Sequence, residues 1–219
     1  MNRKRLVAIL FSVALLATAL LLFAFIRTRP SADAPPGQLR PFAGWLSATA
    51  EAASPFSLTP VTLAPQPYQH PSGAFSVRYP EGWQIDETED ATLFTAPDDS
   101  ASFGVNFGAA DSQVGGGFAA GAASEFRAAW ADLPGFTLQP DSVSLSNYWS
   151  VGFGYDQPAT PDHPALPMTG LVIVQLRDGV TYRQIFTVRN ELQTQFAVVF
   201  QTILESLALE SHAALPNSE

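Results

Sequence analysis

Cysteine is absent from all 219 residues. That excludes disulfide staples, thiol chemistry and a lipidated N-terminal cysteine, and leaves the fold to depend on its core. Lysine is absent beyond Pro30. From there on, six arginines (Arg40, Arg78, Arg127, Arg177, Arg183 and Arg189) face all twenty acidic residues, a net charge of −14. An acidic exterior without basic clusters argues against nucleic acid and against anionic lipid surfaces as partners. Histidine is scarce: His70, His163 and His212 only. There is no HExxH and no GxSxG, so zinc-protease and nucleophile-elbow chemistry lack their parts. No internal repeat is visible.

What the chain does have is one long apolar run, "LVAILFSVALLATALLLFAFI", residues 6–26, with no charge, proline or glycine. At 1.5 Å per residue it reaches roughly 30 Å, the thickness of a bilayer's hydrocarbon. Arg3, Lys4 and Arg5 precede it; Arg27 and Arg29 follow. A cleaved signal peptide carries a shorter core and a small-residue site directly behind it. Here the first such site, "SADA", ends at Ala34. The run therefore reads as an uncleaved signal-anchor over residues 1–29, single-pass in the cell membrane. Cleavage with secretion, and a buried helix of the domain, are the alternatives. The basic flanks favour N-terminus inside and the rest extracytoplasmic.

Residues 30–67 are proline-rich and read as a semi-extended tether. Within it "FAGWLSATAEAA", 42–53, has Phe42, Trp45, Leu46 and Thr49 on one side, a short helix or a linker touching the domain. The domain spans 68–209, and 210–219 is a tail. Phe75, Val77 and Tyr79 alternate with polar residues, a half-buried strand. Pro80 ends it, Glu81-Gly82 turn, and Trp83 and Ile85 resume the apolar face. "ATLFTAP" (91–97) and "SFGVNFGA" (102–109) are further strands. Phe118, Ala122, Phe126, Trp130 and Leu133 mark an amphipathic helix. Phe136, Leu138, Val143 and Leu145 mark a broken strand, and "WSVGFGY" sets Trp149, Val151, Phe153 and Tyr155 on one face. Asp178-Gly179 fits a type I′ hairpin turn. Pairing Arg177 with Val180 places Leu171, Ile173, Val180, Tyr182, Phe186 and Val188 on one face, with Val172, Val174, Leu176 and Ile185 on the other. Neither face is fully polar, so this hairpin is central and covered on both sides. Asn190 reads as a helix cap, with Leu192, Phe196, Val199, Ile203 and Leu207 along one stripe. The pattern is α+β: an antiparallel sheet of about six strands with flanking helices.

"HPSGAFSVRYPEGW" resembles the first strand and corner of the PsbP-like fold, and "FQTILESLAL" its final helix. That fold is shared by the extrinsic photosystem II subunit, a Ran-binding nuclear transport factor and bacterial membrane-anchored or lipidated proteins of unassigned function. The resemblance covers 68–209. It implies an α/β/α sandwich and a noncatalytic assembly or binding role, and brings no catalytic residues.

The residues suggest no stronger chemistry. Asp162-His163 with Asp156 could contribute metal ligands from the 156–167 loop. "DETED" (86–90) and Asp98-Asp99 lack the alternating ligands of a calcium loop. "GGGFAAG" (115–121) lacks GxGxxG spacing and a parallel βαβ setting. No catalytic residue, cofactor or metal site is assigned. The expected partners are the membrane, through the N-terminal helix, and an unidentified protein. The rival readings are a metal-dependent or hydrolytic enzyme using the 156–167 loop, and a sensor. With five residues before the apolar run, a sensor would signal through a partner membrane protein. Trp83 is expected to fill the core beside the Pro-Glu-Gly corner, against the alternative of an exposed anchor for a partner.

Overall fold

A computed structural model describes residue 42 and residues 61–110, 117–159 and 164–210. The apolar run 6–26, residues 43–53 of the tether helix, and Asp162, His163 and His212 lie outside them. Among the described residues no helix is long and apolar enough to cross a membrane.

The elements run β1 (Tyr68–Gln69), β2 (Phe75–Val77), β3 (Gln84–Glu87), β4 (Ala91–Thr95), β5 (Ala101–Ala109), α1 (Phe118–Trp130), β6 (Thr137–Ser144), β7 (Tyr148–Gln157), β8 (Leu166–Arg177), β9 (Val180–Arg189), α2 (Gln193–Ser206) and β10 (Ala208–Leu209). Seven strands make one sheet, ordered β3-β4-β5-β9-β8-β7-β6, with every neighbouring pair antiparallel. The expected sheet of about six strands is thus corrected to seven. Three short strands form a second sheet, β1-β2-β10.

The β8-β9 hairpin is central and pairs Arg177 with Val180 as expected. Asp178 and Gly179 both have positive φ (47° and 82°), which a type I′ turn requires and which matches the twist of the strands. Strand alternation then sorts side chains onto two faces. On one face Phe94, Phe103 and Phe186 lie in register across β4, β5 and β9, with ring centroids 5.5 and 4.7 Å apart. Phe196, Ala197, Phe200 and Ile203 of α2 close over this face, together with Phe75 and Val77 of β2. Phe42 is wholly buried here, edge-on to Phe186 at 5.0 Å. On the other face Ala122, Phe126 and Trp130 of α1 cover Trp149, Val151, Phe153, Val172 and Val174. Helices on opposite faces make the layering α/β/α.

Three local expectations are corrected. The first strand, Phe75–Val77, belongs to the small sheet, because β10 returns to pair with it. Ile85 is on the edge strand β3 and 38% exposed; β3 has only β4 beside it. Asn190 does not cap: Asn190–Leu192 form a 3-10 turn without a side-chain cap bond, and the α-helix starts at Gln193 and ends at Ser206, before Leu207. Trp83 falls where its corner implies, 9% exposed against Phe196 of α2.

Candidate binding surface

Among the described residues, the face under α1 is buried over β7, β8 and β9 and half-exposed over β5. α1 packs on β7, and its buried side chains cluster with β7 and β8. Over β5 and β9 the same face carries four cross-strand pairs in sequence: Gly108-Thr181, Asn106-Arg183, Gly104-Ile185 and Ser102-Thr187. The β5 members are all half-exposed, as are Leu93 and Thr95 of the adjoining β4. A Cβ placed on Gly108 would meet nothing within 4 Å. The result is a shelf of small side chains, with α1 toward one side and β4 on the other.

The floor of this shelf is polar and ordered. Ser102 Oγ and Thr187 Oγ1 are 2.7 Å apart. Thr187 also bonds the Tyr155 hydroxyl, which burial keeps protonated well above the usual phenol range. Asn106 donates to the Asp90 carbonyl at 3.4 Å. Arg183, 4% exposed, reaches Glu125 of α1 at 3.4 Å. Burial lowers its affinity for the proton and the Glu125 carboxylate partly restores it. A buried ion pair contributes little net stability, since desolvation offsets the attraction. Its consequence here is positional: it ties α1 to the central strand and sets charge at the margin of the shelf.

This arrangement offers hydrogen-bond donors and acceptors along an extended track. It brings together no nucleophile and base. His70 is elsewhere, packed on Phe75 and Phe107 beneath the opposite face. Its Nδ1 accepts from the Ser72 backbone N–H at 3.2 Å and its Nε2 lies 3.1 Å from the Thr88 carbonyl. Both ring nitrogens are thereby engaged in joining the β1-β2 turn to the β3-β4 turn.

The other candidates separate. Asp156 is exposed at the end of β7, its backbone N–H bonded to the Pro134 carbonyl at 2.7 Å. Asp86 and Glu87 lie along the exposed edge strand β3, and Tyr68 donates its hydroxyl to Glu87. Asp90 accepts from Thr88 Oγ1 at 3.1 Å, and Asp98 Oδ1 from the Ser100 N–H at 3.2 Å, so both close their own turns. Asp98 stays charged despite partial burial, because the Ser100 bonds and nearby Arg189 outweigh desolvation. Among the described residues no three His, Asp or Glu side chains converge on a metal position. Gly117, the described residue before α1, has φ 87° and its carbonyl accepts from Gly121 N–H. Gly117 starts a helix.

Sequence reasoning missed the shelf. Ser102 and Asn106 alternate along one strand and Arg183 lies on another, and only the β5-β9 register puts them together.

No family model matches the chain, and no curated protein does. Among solved structures it is similar to the cyanobacterial PsbP (CyanoP) of Synechocystis, at 13% identity and a TM-score of 0.49, over 72% of this chain and 98% of that one. It is similar to the Ran-binding protein Mog1p of Saccharomyces cerevisiae, at 10% identity and 0.47, over 68% and 96%. It is similar also to LpqN of Mycobacterium tuberculosis, involved in cell envelope biogenesis, at 12% identity and 0.41, over 67% and 91%. No residue role follows from likeness at this level.

Proposed function

We propose that this chain is a PsbP-like accessory or binding protein without catalysis of its own, tethered to the membrane by residues 6–26 with its domain extracytoplasmic. The observation that carries the binding role is the half-covered sheet face. An extended segment of a partner can lie along β5 beside α1, meeting backbone at Gly104 and Gly108 and polar groups at Ser102 and Asn106. Sites of this kind take affinity from packing and hydrogen bonds and need no reactive group.

The test is a pull-down from detergent-extracted membranes with the full-length chain and with Gly108→Trp. Gly108 has open space around it, so the indole fills the shelf and leaves the core alone. A protein captured by the wild type and lost with Gly108→Trp, at unchanged melting temperature, supports the reading. The same proteins on both baits would overturn the shelf as the binding site. Tethering is tested separately by alkaline washing of membranes; release of the full-length chain into the supernatant would contradict it.

A further inference from the structure

The two edges of the main sheet differ in chemistry. On β3 and the turn after it, Asp86, Glu87, Glu89 and Asp90 put four carboxylates within residues 84–90. At the other end, β6 and its surroundings are almost uncharged: from Leu133 to Tyr155 the only charged residue is Asp141. Charge on an exposed edge is the usual protection against edge-to-edge pairing. β3 has it and β6 does not.

Half of β6 is blunted otherwise. Pro140 lies in it, and the pairing with β7 shifts register between Leu138 and Ser142. Past that irregularity β6 is regular again, with Ser142, Val143 and Ser144 opposite Val151, Ser150 and Trp149. Leu145 N–H donates to the Tyr148 carbonyl at 2.7 Å. By antiparallel alternation Val143 and Ser150 then exchange bonds across β6-β7, and the N–H and C=O groups of Ser142 and Ser144 point away from the sheet. Val143 and Leu145, both 41% exposed, extend the α2 side of the sheet to its rim, next to Tyr148.

We infer that β6 is a self-association edge, on which a second copy of this chain adds its own β6 antiparallel about a two-fold axis at Val143. In that register Ser142 lies opposite Ser144 of the second copy, and the two exchange main-chain bonds on each side of the axis. Val143 meets its own counterpart as a non-hydrogen-bonded pair, the closer of the two spacings. Asp141, the one charge, faces Leu145 of the second copy rather than another carboxylate. An interface repeated about a two-fold must be self-complementary. For a chain at −14 from Pro30 onward, the uncharged edge is where a like copy approaches without repulsion. Two-fold pairing of β3 would instead stack carboxylates. Because the bulge and Pro140 limit the contact to a few residues, the dimer is of the small, transient class.

The absence of native cysteine makes the test clean, since any disulfide in a single-cysteine variant joins two copies at that residue. Full-length Val143→Cys in detergent, under mild oxidant, is expected to form a covalent dimer at least about tenfold faster than Ile85→Cys on the β3 edge. Adding Ser144→Pro, which deletes an outward N–H that β7 does not use, is expected to abolish that advantage. Independently, sedimentation of the wild type is expected to show dimer growing with concentration, and Val143→Lys to remain monomeric because like charges then meet across the axis. Equal cross-linking at both edges, indifference to Ser144→Pro, or a wild type monomeric at every concentration would each overturn the inference.

Discussion

One sheet, two faces, and the faces are built for different ends. The face toward α2 is apolar across five of its strands, from Phe94 on β4 to Tyr148 on β7, and is sealed by Phe196, Phe200 and Ile203. The face toward α1 is apolar on β7 and β8, joined by Ile185 of β9, and gives way on β5 to Ser102, Gly104, Asn106 and Gly108. Packing that is continuous cannot yield a residue without leaving a cavity; packing that stops at a margin leaves room for something else. The α2 face therefore carries the stability, and among the described residues the β5 part of the α1 face is left half-exposed.

The strongest way to break this contrast is to empty the aromatic ladder. Phe186 is fully buried, with Phe103, Phe42 and Phe200 rings at 4.7, 5.0 and 5.1 Å. Phe186→Ala is expected to cost about 3–5 kcal/mol, a large share of the roughly 5–15 kcal/mol that holds a domain, so the melting temperature of the full-length chain falls steeply or the chain fails to fold. Trp83→Ala, at the corner against Phe196, is expected to follow at the low end of that range. A Trp83→Ala chain that melts like wild type would return Trp83 to the role of exposed anchor.

Two glycines sharpen the comparison on the α1 face itself. A Cβ on Gly170 of β8 would come within 2.2 Å of the Phe153 ring, which lies across it. Phe153 is wholly buried against Phe126 and Trp130 and has no room to retreat. Gly170→Ala is expected to cost about 1–3 kcal/mol by overpacking. Gly108→Ala, on the open half, is expected to change stability by less than about 0.5 kcal/mol. Chemical denaturation of the two variants reads the difference directly; equal costs would mean that the shelf is as closed as the core.

Alkaline pH probes the same burial with no substitution. Burial pushes the Tyr182 phenol up to about 12, and raises Tyr148 and Tyr155 as well. In the unfolded chain these phenols lose their protons near pH 10. Between about pH 10 and 12 the unfolded chain has therefore released protons that the fold retains, and stability falls as pH rises. Melting temperature is expected to fall through that window, and to fall less in Tyr182→Phe, which lacks the proton at issue. An unchanged slope in Tyr182→Phe would remove this tyrosine from the account.

Much of this was legible in the sequence, for local reasons. Asp178-Gly179 supplies the two positive φ values of its turn, and a hairpin apolar on both faces has to be central. The four-residue spacing of Phe118, Ala122, Phe126 and Trp130 is enough to place α1. What escaped depends on distant pairing. The small sheet is made of strands two or three residues long, and joins Ala208-Leu209 to Ser76-Phe75 across most of the domain. No window of sequence contains that information. The hydrogen bond from Thr88 N–H to the Ala91 carbonyl makes β3 and β4 a tight pair and leaves β3 at the edge, so Ile85 is exposed though its pattern reads as core. The polar floor escaped for the same reason, since Ser102 and Asn106 meet Thr187 and Arg183 only once β9 is set beside β5.

The most direct test asks which face a partner touches in the native membrane. A photo-crosslinking residue is placed either at Asn106 on the shelf or at Val198 on the outer side of α2, which at 59% exposed is the more accessible position. The account predicts a discrete protein adduct from position 106 and none from position 198. Adducts from 198 with none from 106 would contradict it.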